Sequence, residues 1–182
     1  NLAQVGWEER RANTKEACTV CQTGPDVDNF DEQYDGVNEL HNSKDANPRT
    51  AFINILEENG LITETQFDED VEWTWWEIWH HEGRVARHGA SMMATDYTHW
   101  HGLYEVAKHW YTKFIPELEE IAEKSLHSED PAIVAGGEKL ATAIEELLAR
   151  PEHAWYTGNL SPEERAKRQA AQEEFKNRYG KD

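Results

Sequence analysis

VEWTWWEIWHHEGRVARHGASMMATDYTHWHGLYEVAKHWYTKF, residues 71–114, decides the reading of this chain. The stretch carries six of the eight Trp, six of the nine His, both Met and three of the six Tyr. Acidic residues at Asp68 and Asp70 sit where a helix N-terminus favours negative charge, and the helix they open runs to about Met93. Within it Trp75, Trp79, Glu82 and Ala86 share one face. Thr95-Asp96 then supplies a cap for a further helix from Tyr97 to about Lys124, which Pro116 should kink or break.

Helical signals continue outward on both sides. Residues 4–22 are good helix formers and end near Gly24-Pro25. Asp26 or Asp28 can cap a second helix, with Phe30, Tyr34, Val37 and Leu40/His41 on one face. Pro48 marks a break, and the helix after it stops at Gly60. Asp130-Pro131 opens another helix that ends around Arg150-Pro151. Ser161-Pro162-Glu163-Glu164 opens a last one, polar nearly all round, to Tyr179, placing it on a surface or against a neighbour. Strand signals are almost absent, so the expected fold is all-α, built of long antiparallel helices. Along the chain, 1–62 is an N-terminal helical segment with a CxxC, 63–127 the aromatic long-helix region, and 128–182 an acidic helical tail.

Composition narrows the function. A net charge of −18 argues against nucleic acid and against anionic membrane surfaces. No apolar run is long enough for a transmembrane helix. A hydrophobic content of 38% and a mean hydropathy of −0.88 are low for a self-contained globule, and much of the apolar surface is aromatic and in one region. That points to burial against a cofactor, a partner chain or another copy. The bare Asn1 start, without Met or a visible signal peptide, looks like a processed or excised chain.

Six imidazoles, His80, His81, His88, His99, His101 and His109, fall in the central stretch. Imidazole is a common ligand for zinc, copper and haem iron. The plainer reading of any one is a core or surface histidine, but Trp and His at this density suit a large flat cofactor. Tyr97, Trp100, Tyr104 and Tyr111 form a stripe whose commonest origin is simple core packing. Gly83, Gly89 and Gly102 lie inside helical segments, where each costs about 1 kcal/mol relative to Ala. Either a cofactor face or tight helix–helix packing would account for them. Cys18-Thr19-Val20-Cys21-Gln22 approaches the CxxCH haem-attachment motif but has Gln where the ligating His belongs. A haem site without its proximal His, a local disulfide or redox pair, and two buried inert thiols all fit it.

Three segments together resemble the multihaem hydroxylamine oxidoreductase (hydroxylamine dehydrogenase) family, octahaem c-type cytochromes, in its C-terminal helical region. They are Trp7 to Cys21, WHHEGRVARHGASMM at 79–93 and DYTHWHGLYEVA at 96–107, and the likeness covers roughly residues 7–125. The resemblance implies a trimer outside the cytoplasm, in the periplasm, that oxidises hydroxylamine or hydrazine, or runs reductively on nitrite, and passes electrons to a cytochrome acceptor. It implies that Tyr97 bonds covalently to the catalytic haem of a neighbouring protomer, tuning a cofactor the protein does not replace. His101, with Trp100 and Tyr104, lines or ligates haem c, and His80, His81 and His88 join His101 as candidate iron ligands. Cys18 and Cys21 match the last haem attachment. The chain has no complete CxxCH, so the resemblance also implies a haem-bearing partner chain or the remainder of the same enzyme. Two rival expectations are a haem-free helical scaffold whose aromatic face holds an oligomer together, and a His-rich zinc or copper protein.

Overall fold

The computed structural model describes residues 5–180, and they form helices joined by turns with no β-strand among them. Gln4, where the sequence opens its first helix, lies outside the described residues. The helices are α1 (Trp7–Cys18), α2 (Gly24–His41), α3 (Asn47–Glu58), α4 (Asp70–Trp76), α5 (Gly83–Ser91), α6 (Thr95–Thr98), α7 (Tyr104–His109), α8 (Ile115–Leu126), α9 (Pro131–Leu148), α10 (Ala154–Thr157) and α11 (Pro162–Tyr179). The π-helical turns Asn42–Ala46, Glu77–Glu82, His99–Leu103 and Trp110–Phe114 lie between consecutive helices without breaking the chain's winding. No helix among the described residues is long and apolar enough to cross a membrane.

Local chemistry sets the boundaries. Thr23, rather than Asp26 or Asp28, caps α2, its hydroxyl accepting from the Asp26 N–H, and Gly24-Pro25 form the first turn instead of a stop. Pro tolerates that place because its missing N–H would be unpaired anyway. Pro48 does not end its helix. The wider turn Asn42–Ala46 precedes it, so the missing donor is absorbed where the hydrogen-bond register already changes. Pro116 likewise falls just after Trp110–Phe114, in the first turn of α8. Gly60, at φ 62°, closes α3 in the left-handed region, as a C-terminal Gly does. Asp130 accepts from the Ala132 N–H at 2.8 Å to start α9, and Ser161 and Glu164 form a reciprocal capping box at α11.

The chain divides into two compact units, Asn1–Arg49 with Glu72–Trp110, and Thr50–Val71 with Tyr111–Asp182. These units interleave along the sequence, so segments 1–62 and 63–127 each contribute to both. In the first unit α5 is central. Its Ala86 is fully buried, and it packs on α2, on α6 and on His99–Leu103. The glycines explain how closely. A Cβ on Gly102 would lie 2.5 Å from the Ala86 Cα, and one on Gly89 would lie 2.8 Å from the Thr98 backbone nitrogen. A Cβ on Gly83 would strike the His41 ring. Tight helix packing, not a cofactor face, therefore accounts for these three positions. By contrast α1 buries none of its side chains and is tied to α2 by the surface ion pairs Arg11–Asp35 (2.7 Å) and Lys15–Asp28 (2.7 Å).

In the second unit α8 and α9 form an antiparallel hairpin. Four residues connect them, and Gly137, early in α9, lies against Ala122 and Ser125, late in α8. Leu118, Leu140, Ile144 and Leu147 fill its core. Phe52 and Phe114 meet edge to face at 6.3 Å. Tyr111 is buried, its hydroxyl 2.7 Å from His153 Nδ1, with Trp155 and Tyr156 rings at 4.7 and 4.6 Å. None of the described side chains of α11 is buried, as its polar sequence predicts.

The Gly102 contact yields a direct test. Gly102→Ala should cost about 1–3 kcal/mol through overpacking, seen as a lower urea midpoint at unchanged slope. Gly36→Ala, where a Cβ meets nothing within 4 Å, should be neutral or stabilising. Equal effects at the two positions would contradict the packing described.

Candidate functional site

The site begins with a shift of phase. Along α4, Glu77–Glu82 and α5 the buried residues are Val71, Thr74, Ile78, Glu82, Gly83, Ala86 and Gly89. Trp73, Trp76 and Trp79 are left exposed. The sequence placed Trp75 and Trp79 on the face of Glu82 and Ala86. The π-helical turn between them adds a residue and rotates the helix beyond it, so Trp79 leaves that face while Glu82 turns inward. The same happens one helix later. Tyr97, Trp100 and Tyr104 are 58%, 64% and 51% exposed, so these three are not a core stripe. Tyr111, the stripe's fourth member, is buried in the second unit.

The first unit thus carries an exposed aromatic and imidazole surface. Tyr97 and His101 rings lie 5.5 Å apart, Trp100 and Tyr104 rings 5.7 Å apart, all on α6, His99–Leu103 and the start of α7. His101 Nε2 faces Asp96 Oδ2 at 3.4 Å. A groove of about 390 Å³ brings Tyr97 together with Arg84, His88 and Met92. His80 is half-buried, its Nδ1 3.0 Å from Arg84 Nη2, and its ring is 4.3 Å from that of Trp79 and 5.3 Å from that of Trp76. His81 is exposed. Among the described residues His80, His81, His88 and His101 do not gather into a set of three whose donor atoms an ion could share. A second open groove, of about 730 Å³, runs between α2 and the α5–α6 region, with Phe30, Tyr34, Leu40, Met93, His99 and Leu103 in its walls.

Cys18 is half-buried and Cys21 exposed; neither is in a disulfide, and Cys21 Sγ lies 3.9 Å from the Cys18 carbonyl. The reading as two buried inert thiols is corrected. Both sit where α1 ends, on a weakly held helix, because surface ion pairs contribute little.

Beneath this surface lies a polar network that sequence reading missed. His41, Asp45 and Arg49 stand one turn apart and are nearly inaccessible. His41 Nδ1 lies 3.4 Å from Asn42 Oδ1 and its Nε2 3.3 Å from Asp45 Oδ2. Arg49 Nη1 donates to both Asp45 oxygens at 3.4 and 3.2 Å. Burial pulls His41 down to about 4, helped by the positive charges of Arg87 and Arg49. Burial pushes Asp45 up to about 7; the Arg49 charge opposes this and the Glu82 charge adds to it. Glu82 pairs in turn with His109, and Glu105 joins them. The only signal in sequence was the i, i+4, i+8 spacing of His41, Asp45 and Arg49; their burial required the tertiary fold.

Comparison with protein families, curated proteins and solved structures returns no match.

Opposed shifts make a specific prediction about pH. His41 titrates lower in the native than in the unfolded chain, so between about 4 and 6.5 its contribution to stability grows as pH rises. Asp45 titrates higher when folded, so between 3.8 and about 7 its contribution falls as pH rises. In the wild-type chain the two offset each other over that window. Asp45→Asn should therefore gain stability relative to wild type as pH rises from about 4.5 to about 6.5. His41→Gln should lose it. Denaturant midpoints across pH measure both, and parallel pH profiles for the three proteins would contradict the assignment.

Proposed function

We propose that this chain is a helical, haem-covering subunit or fragment of a multihaem oxidoreductase of the hydroxylamine oxidoreductase type, acting on hydroxylamine or hydrazine or, in reverse, on nitrite. The observation that carries the reading is the exposure of Tyr97, Trp100 and Tyr104 on one unpacked surface. Exposed aromatic surface of that kind marks a contact site, and the resemblance of DYTHWHGLYEVA supplies the partner, a haem-bearing protomer in a trimeric, extracytoplasmic assembly.

The residues present fit a haem at one place and not at another. Around Tyr97 the phenol is accessible, an imidazole stands beside it at His101, and Trp100 and Tyr104 offer rings for stacking on a flat macrocycle. There Tyr97 would hold the catalytic haem of the neighbouring protomer, covalently as the resemblance implies, and His101 would line it. Iron and porphyrin supply the electron-accepting chemistry. At Cys18 and Cys21 both thiols are free, but Gln22 has no lone pair of imidazole character to offer iron. The chain's own residues position and enclose; the array that carries electrons onward to a cytochrome acceptor is borne by the partner.

Peptide mapping of the purified assembly by mass spectrometry tests this. A haem-bearing peptide containing Tyr97 is expected, together with a positive pyridine haemochrome assay. Tyr97→Phe should abolish that cross-link and change the stability of the free chain by no more than about 0.5 kcal/mol, as for other exposed positions. An iron-free, colourless assembly would show that the aromatic surface serves a haem-free scaffold instead.

A further inference from the structure

Glu82, Glu105 and His109 form a second cluster, separate from the aromatic surface and within the same unit. One donor atom from each lies within 4.8 Å of the others. Glu105 and His109 are one turn apart on α7, so both side chains leave the same face. Glu82 arrives from the facing turn Glu77–Glu82, which rotates it inward to 5% exposure. His109 and Glu105 are only partly accessible.

We propose that these three side chains bind one divalent cation of the zinc class. The donor chemistry is right for it: an imidazole nitrogen and two carboxylate oxygens suit a borderline cation, and three protein ligands leave one position for water. The charge balance also favours it. Two carboxylates this close repel, and a divalent cation between them would relieve that repulsion. Lys108 reaches Glu105 at 3.2 Å from a half-exposed position. Lys108 can swing into solvent at little cost when a cation takes its place. Binding then replaces the Glu82–His109 pair, with His109 neutral and any proton it held released. The ion would tie α7 to the turn before α5.

Cobalt(II) titration of the full haem-free chain, in a Cys18→Ser/Cys21→Ser background, tests the site by visible absorption. One equivalent should bind and give d–d bands of nitrogen and oxygen ligation, with zinc displacing it. Glu82→Gln and His109→Ala should each abolish the one-equivalent signal, while His127→Ala retains it. Glu105→Gln, at the accessible rim, provides a variant whose fold is preserved if Glu82→Gln unfolds, and it should weaken binding at least about tenfold. No stoichiometric binding, or binding that survives both His109→Ala and Glu105→Gln, would overturn the proposal. Either result leaves the haem reading untouched, because Tyr97 and His101 take no part in this site.

Discussion

Backbone contact between α5 and the helices after it governs the first unit. Gly89 lies against Thr98 and Gly102 against Ala86, at separations that leave no room for a Cβ. Two helices this close cannot hold indole or phenol rings between them. The rings of Trp73, Trp76, Trp79, Tyr97, Trp100 and Tyr104 are therefore displaced to the outside, and much of the stretch richest in aromatics is left unburied. A ring of this kind buries about 150–250 Å² when fully enclosed; these keep 37–64% exposed, so at about 25 cal/mol per Å² each forgoes on the order of 1–4 kcal/mol.

The interior that the glycines create is polar as well as apolar. His41, Asp45, Arg49 and Glu82 are buried together, and each would be costly alone. Asp45 pairs with Arg49 and faces His41, while His41 Nε2 and Arg49 Nε lack a hydrogen-bond partner among the described residues. Breaking one partner leaves an uncompensated group, so the network fixes α2 and the turn Asn42–Ala46 against the turn Glu77–Glu82 more by penalising alternatives than by adding net stability.

Much of this was legible in the residues. Gly60, Asp130-Pro131 and Ser161 through Glu164 mark helix ends by chemistry that acts locally, and the structure has those ends. The glycines announced a close approach, though not whose. What sequence periodicity could not give was the phase after each π-helical turn. One added residue rotates everything downstream, so Trp79 turned out of the core and Glu82 turned in, and Tyr97 and Tyr111 parted into different units. Pro48 and Pro116 read as breaks for the same reason, since a widened turn can absorb a missing donor without ending the helix. The Glu82–Glu105–His109 cluster was invisible because no spacing along the chain relates residue 82 to residue 105.

The proposed function rests on the aromatic surface being bare in the lone chain and covered in the proposed assembly. Hydroxyl-radical footprinting read by mass spectrometry measures that at single residues. Tyr97, Trp100 and Tyr104 should oxidise readily in the isolated chain and become protected in the haem-containing complex, while Phe175 and Tyr179 on α11 supply a second exposed reference. Protection of the three residues in the isolated chain, or unchanged reactivity in the complex, would contradict the account.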